Sequence, residues 1–321
     1  MDKIEVVYLM LVCKNADIVR HTIERLQCDG VRFWIHVDAK STEDFSWIGD
    51  STITQTANHQ RNIQWGGVNM PETVINGIQE SIKRWGVPRY FVLLSESDYP
   101  VKRGNEIQRF LNKANQDFII ANPLPCRNPV GAPGGWWLED GRRRLECYAL
   151  RLGNKSIATI EAKRFNKGNI RQLAKVMRDN PKKLPQALRI ILCYPKRTHP
   201  KDLQPCGGEF WFALRGETAR RAIDYCDKHK DFMRYHADTC IPDELVFPTL
   251  VHNIVRGDEI AGHTLRHVNW ADNGSASPEN INLEDIKLLK DVSRKPECMF
   301  IRKVQDIVVC KAIDRLVDED S

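Results

Sequence analysis

FVLLSESDYP, residues 91–100, is the stretch that decides the fold. Phe91, Val92, Leu93 and Leu94 are apolar on both faces, the pattern of a strand buried in the middle of a parallel sheet. Ser95, Glu96, Ser97 and Asp98 follow at once, and Tyr99-Pro100 predicts a turn. Two carboxylates and two hydroxyls therefore stand at the carboxyl end of a core strand, where ligands bind in open α/β sheets. A second strand, Val31–Val37, ends the same way at His36-Val37-Asp38. Acid-bearing strand ends in one α/β chain suggest a site that reads ribose or sugar hydroxyls.

The flanking sequence alternates in the same sense. Residues 4–12 read as a strand, and 15–26 as an amphipathic helix with Asn15 as its N-cap. Residues 52–54 and 62–64 read as short strands around a polar loop. Residues 70–85 form a helix with Pro71 in its first turn, where proline is tolerated. A helix over 105–112 and a strand over 117–121 follow. This alternation predicts a mostly parallel sheet, flanked by helices, with right-handed crossovers. From 122 to 203 the texture changes: prolines, glycines and the pair Trp136-Trp137 make an irregular insertion, and loops of that length usually carry function. Within it, 156–180 is basic and helical in pieces, and 184–193 is apolar. Beyond it come a strong strand at 209–214, a helix over Gly216–Lys228, and a helix over 242–255 with Asp243 and Glu244 in its first turn. A strand at 265–268, a helix over 283–290, a strand at 299–301 and a closing helix over 304–316 complete the chain. With no internal repeat and no linker-like tract, the 321 residues read as one α/β domain.

Composition narrows the function classes. A formal charge of +6 is too mild to argue for nucleic acid, whereas a phosphate-bearing small ligand fits it. Ten cysteines form no CxxC pair and no metal-ligand spacing, and Cys13 and Cys193 lie in apolar runs that suit buried thiols, which points to a reducing cytosol. The first residues carry no leader pattern, and no apolar run is long enough to span a bilayer. The expected location is cytoplasmic, with peripheral association at the inner face of the membrane left open.

Seven segments add a family resemblance. In chain order they are FWIHVDAKS (33–41), IQWGGVNM (63–70), YFVLLSESDYPVK (90–102), GGEFWFAL (207–214), IPDELVFPTL (241–250), LRHVNW (265–270) and MFIRKV (299–304). Together they resemble the Core-2/I-branching β-1,6-N-acetylglucosaminyltransferase family, which also contains the peptide O-xylosyltransferases. The match is poor from 122 to 203, where acceptor specificity is expected to reside. The resemblance implies a GT-A fold, Rossmann-like in its central sheet. It also implies a UDP-sugar donor, a glycan or glycoconjugate hydroxyl as acceptor, and transfer with inversion, most readily of N-acetylglucosamine.

The resemblance assigns roles residue by residue. Glu244 matches the family's general base, which takes the acceptor proton. Arg266 and Lys303, with Arg302 beside the lysine, match the basic pair that stabilises the leaving diphosphate in place of a metal. No cofactor is then needed, and Mn or Mg dependence is not expected, although Glu96-Ser97-Asp98 could be taken for an acidic metal motif. Asp98 and Ser95 are expected to orient the donor sugar or its loop. Asp38 and His36 are expected near uridine or ribose, and the turn at Trp65-Gly66-Gly67 near the donor. Trp136, Trp137, Glu139 and the run Arg142-Arg143-Arg144 resemble an acceptor wall, or else a surface loop whose tryptophans pack on the core. Xylosyl transfer from UDP-xylose is the rival chemistry, and a non-catalytic nucleotide-sugar or glycan binder the rival class. Capsule, lipopolysaccharide or protein-glycan assembly, hence polysaccharide biosynthesis in the broad sense, is the expected setting.

Overall fold

The computed structural model describes residues 3–131, 135, 137–154, 156–270 and 278–319. The first stretch supplies β1 (Val6–Val12), α1 (Ala16–Leu26), β2 (Val31–Val37), β3 (Thr54–Thr56), α2 (Asn69–Trp85), β4 (Tyr90–Ser95), β5 (Asp98–Pro100) and α3 (Gly104–Ala114). The middle holds β6 (Asn122–Pro123), α4 (Arg142–Glu146), β7 (Cys147–Arg151), β8 (Ile157–Glu161), α5 (Lys167–Asp179) and α6 (Leu184–Cys193). The last stretch adds β9 (Cys206–Gly207), β10 (Ala213–Arg215), α7 (Gly216–Lys228), α8 (Lys230–His236) and α9 (Asp243–Ile254). It closes with β11 (Arg266–Val268), α10 (Ile286–Ser293), β12 (Phe300–Arg302) and α11 (Ile307–Glu319).

The main sheet has the order β10-β4-β1-β2-β3. β4, β1, β2 and β3 run parallel, and β10 closes the β4 edge antiparallel. All seven residues of β1 are buried, because helices cover both faces of the sheet. Val7, Leu9 and Leu11 face a core shared with α2, α7 and α9; Val6, Tyr8, Met10 and Val12 face one shared with α1 and α3. Register aligns Leu11 with His36 on one side and with Ser95 on the other, so the polar strand ends lie side by side.

A second, smaller sheet, β11-β12-β5, grows from the main one. The chain does not turn at Tyr99-Pro100 as expected; after Glu96-Ser97 it enters β5, which pairs antiparallel with β12 and sets Asp98 across from Arg302. FVLLSESDYP therefore joins the two sheets. A third unit stands apart in packing terms: the antiparallel β7–β8 hairpin and helices α5 and α6 enclose a separate apolar cluster including Tyr148, Leu150, Ile160, Val176 and Ile190.

Several local expectations give way to tertiary demands. Asn15 sits in left-handed backbone with no side-chain cap; Glu43 accepts from the Ala16 N–H at 2.7 Å instead. Residues 117–121 form only single bridges, Asp117 to Ile260 and Phe118 to Ala213. Residues 62–64 are not a strand, and the short strand expected at 52–54 lies at Thr54–Thr56. In the 209–214 run only Ala213 and Leu214 join a ladder, while Glu209, Phe210 and Trp211 leave the sheet. Residues 184–193 form a helix, and Cys193 at its end is exposed, not a buried strand thiol; Cys13 is half-buried. Among the described residues no helix is long and apolar enough to cross a membrane.

Candidate functional site

A cavity of about 380 Å³ opens at the carboxyl ends of β1, β2 and β4. Strand ends supply Cys13, Asp38, Ser95 and Glu96; the segment leaving the sheet supplies Glu209, Phe210 and Trp211. The start of α9 adds Asp243 and Glu244, and the small sheet adds Val268, Trp270, Arg302 and Lys303. Trp65 lines it too, presented by a turn in which Gly67 N–H donates to Gln64 C=O at 2.9 Å. Gly66 holds φ 63° there, a left-handed conformation that glycine adopts without cost.

Asp98 is the hub beneath this cavity and is fully buried. Its Oδ1 accepts from Arg266 Nε at 2.9 Å; its Oδ2 accepts from Ser95 N and Oγ, each at 2.7 Å, and from Arg302 Nη1 at 3.0 Å. Burial alone would raise this carboxyl; Arg302, Arg266 and the Ser95 donors outweigh it and hold it below the usual carboxylate range. Both oxygens are thus committed to protein cations, so an acidic pair Glu96/Asp98 is poorly suited to bind an ion. Ser95 Oγ also accepts from Arg302 Nη1 at 2.6 Å, so one hydroxyl links the strand end to the arginine. Among the described residues no group of three or more His, Cys, Asp or Glu side chains is placed to hold a metal.

Of the basic residues, Arg266 departs from expectation. Its side chain is wholly buried, donates to Asp98, to the Thr264 carbonyl at 2.9 Å and to the Leu93 carbonyl, and does not line the cavity. A guanidinium buried in this way and donating to three partners braces the floor beneath the cavity. Arg302 and Lys303 do line the cavity. Arg302 stacks over the Trp211 ring, 4.2 Å from its centroid, and Arg266 approaches the same ring at 5.1 Å.

The β2 end divides its two residues. Asp38 lines the cavity; its Oδ1 accepts from Lys40 N at 3.0 Å and its Oδ2 from Ile63 N at 3.2 Å, with Lys40 Nζ 3.0 Å from Oδ2. His36 does not reach the cavity. It is fully buried, its Nε2 accepts from Arg61 N at 2.9 Å, and burial lowers its pKa, so it is a neutral core histidine that anchors the 61–63 loop.

Glu244 lies at the cavity wall, about a third exposed, with Oε2 2.6 Å from Arg144 Nη1. Arg144 in turn lies 3.7 Å over the Trp137 ring. Asp243, beside it in the first turn of α9, is nine-tenths buried with Oδ1 lacking any hydrogen-bond partner. Burial, reinforced by the neighbouring Glu244 charge, pushes the Asp243 carboxyl up to about 7. Glu209 is raised as well, by burial, while accepting from Thr264 Oγ1 at 3.1 Å; burial also raises Glu96. Gly208 makes this cluster possible: a Cβ there would lie 1.8 Å from the Ile120 carbonyl oxygen, and its N–H donates to the Glu244 carbonyl at 3.0 Å.

Of the residues expected at the acceptor wall, Trp137, Glu139 and Arg142 to Arg144 do not line the cavity, although Arg144 reaches Glu244 at its wall. Trp137 is buried against Leu124 and Leu245, with Arg144 over its ring, and offers no open face to a sugar. Glu139 and Arg142 pair with one another, and Arg142 also meets Glu146 at 2.6 Å; neither lines the cavity. Trp136 lies outside the described residues. The aromatic side chains that do line the cavity are Trp65, Phe210, Trp211 and Trp270. Glu209 and Trp211 lie in an apolar run that reads as a strand, whereas Arg144 belongs to the arginine run that the resemblance puts at the acceptor side. The signal available for Glu209 was its double glycine, Gly207-Gly208, which marks close backbone approach.

The chain matches the family model described as Core-2/I-Branching enzyme over residues 6–127 and 152–290. It is 20% identical over 305 residues to xylosyltransferase 2 of Rattus norvegicus and of Mus musculus, an alignment covering 86% of this chain. The chain spans 29% of the length of those curated relatives. With most of its length matched by that model, the chain belongs to the Core-2/I-branching enzyme family.

Proposed function

We propose that this chain is a single GT-A catalytic domain that transfers a sugar, N-acetylglucosamine in our reading, from a UDP-sugar to a hydroxyl of a glycan acceptor with inversion. The observation that carries the reading is that one cavity at the parallel strand ends is lined by a surface-reaching carboxylate, Glu244, and by two cations, Arg302 and Lys303. Inverting transfer needs one base to take the acceptor hydroxyl proton as that oxygen attacks the anomeric carbon. Glu244 fills this role, while the bond from the anomeric carbon to the diphosphate breaks and its electron pair leaves with UDP. Lys303 and Arg302 then stabilise the charge that develops on the diphosphate. Asp98, neutralised by Arg266 and Arg302, holds Arg302 in place, so the reading assigns the diphosphate to basic side chains and requires no metal. Asp38 receives the ribose or uracil donors of the nucleoside.

The deciding experiment is UDP release from a panel of UDP-sugars, including UDP-N-acetylglucosamine and UDP-xylose, with glycan acceptors and with or without EDTA. EDTA-insensitive release from UDP-N-acetylglucosamine is expected. Strict EDTA sensitivity would overturn the metal-independent reading, and preference for UDP-xylose would reassign the donor. Stabilisation by UDP without turnover of any sugar would make the chain a binder.

A further inference from the structure

The positive charge of this chain is concentrated in one place, away from the cavity. Between residues 163 and 196 stand ten lysines and arginines against a single acid, Asp179, a net of +9 in a chain whose total is +6. The same stretch carries four of the large apolar side chains that remain exposed: Phe165 at 69%, Ile170 at 62%, Leu192 at 57% and Met177 at 51%.

The two features share one surface. In α5 the inward residues Asn169, Leu173 and Val176 face the hairpin and α6, while Lys167, Ile170, Arg171, Ala174, Met177 and Arg178 are exposed. Those exposed positions follow the three-and-four spacing of a single helical face, so cations and apolar groups alternate along one stripe. The stripe continues past the N-terminus of α5. Lys163 N–H donates to the Ile191 carbonyl at 2.8 Å, and Lys163 Nζ donates to the Leu192 carbonyl at 2.7 Å. These bonds tie the segment leading to Phe165 onto the last turn of α6, which brings Phe165 and Leu192 to the same end of the unit. Few acids neutralise the stripe: Arg178 pairs with Asp179 at 2.8 Å and Arg164 with Glu161 at 2.9 Å.

We infer that this face of the α5–α6 unit docks on an anionic phospholipid surface, with Phe165, Ile170, Met177 and Leu192 entering the headgroup boundary and the surrounding lysines and arginines meeting lipid phosphates. Charge complementarity selects an anionic partner. A soluble polyanion would satisfy the cations but leave four large apolar groups in water, whereas a bilayer boundary accommodates both. The inference is independent of which sugar the cavity uses, because none of these side chains lines it.

The test is flotation of the intact protein with phosphatidylcholine vesicles, with and without phosphatidylglycerol, at low and high salt. Binding is expected only with the anionic lipid, weakened by salt. Lys167→Glu with Arg171→Glu should weaken it at least about tenfold, since each basic residue near such a surface contributes on the order of 1 kcal/mol. Phe165→Ser with Ile170→Ser should also weaken it, and both positions are exposed, so the fold, checked by circular dichroism, should persist. Failure to float with anionic vesicles would overturn the inference. So would loss of binding on charge reversal with no effect of the apolar substitutions, which would indicate a general polyanion site. UDP release in the absence of lipid should be unchanged in all these variants.

Discussion

Arg144 Nη1 lies 2.6 Å from Glu244 Oε2, joining residues one hundred positions apart, and the same guanidinium stacks on the buried Trp137 ring. The proposed base is therefore held by an arginine that is itself held by a packed tryptophan. This explains how a residue from the irregular insertion contributes to a site otherwise built from strand ends and the start of α9. Trp137 itself is buried and meets the site only through Arg144.

Glu244→Gln should keep the shape of the wall and remove the proton acceptor. Turnover is expected to fall about 10²- to 10⁴-fold, the usual contribution of a positioned base. Donor binding, read as thermal stabilisation by UDP-sugar, should persist. Retained turnover would remove Glu244 from the chemistry.

Lys303→Ala addresses the diphosphate. A charge-assisted hydrogen bond contributes roughly 1.5–3 kcal/mol, so the dissociation constant for the UDP-sugar should rise about ten- to a hundredfold. Arg266→Ala should behave differently, because Arg266 is buried against Asp98 and the Leu93 carbonyl. It should lower stability first and donor affinity only as a consequence. Titration calorimetry beside urea unfolding separates the two variants; equal profiles would contradict the distinct placements.

How far the sequence could be read follows from how local each determinant is. β1, β2, β4 and α7 were legible almost to their ends, because buried apolar runs and helical periodicity are properties of neighbouring residues. The apolar run at 209–214 misled for a physical reason: burial does not require strand pairing, and Phe210 and Trp211 are buried or half-buried beside the cavity without a ladder. Glu244, Asp38, Arg302 and Lys303 do meet at one cavity as the family resemblance implied. The true setting of Arg266 was hidden, since its carboxylate partner lies 168 residues away and no spacing rule reports such a pair. His36 illustrates the same limit, because its Arg61 partner sits in a loop with no pattern of its own.

Asp98→Asn tests the floor. Removing one member of a buried ionic cluster leaves two arginines without their counter-charge, and a loss of about 3–5 kcal/mol is expected. The sign with pH follows from the depressed folded-state pKa of Asp98. Its stabilising contribution is fully present above the unfolded value of about 4 and is lost as pH falls through the lower folded value. Wild type should therefore lose stability on acidification through that window, and the Asn variant, already lacking the contribution, should lose less. Urea unfolding over an acid series measures this; parallel curves for the two proteins would contradict a charged Asp98.

Asp243 has the opposite sign and separates burial from its neighbour's charge. Its folded-state pKa is raised, first by burial and then by Glu244. A group raised on folding contributes stability below its unfolded value, about 4, and that contribution is lost as pH rises through the folded value, here about 7. Wild-type stability should thus decline between these limits, by about 1.4 kcal/mol per pH unit at the steepest, whereas Asp243→Asn should be flatter across the same window. In a Glu244→Gln background the decline should persist but end at lower pH, because burial remains while the like charge is gone. A pH series of urea midpoints for the three proteins checks the argument: if Glu244→Gln leaves the window in place, burial alone holds the Asp243 proton and the two carboxyls act independently.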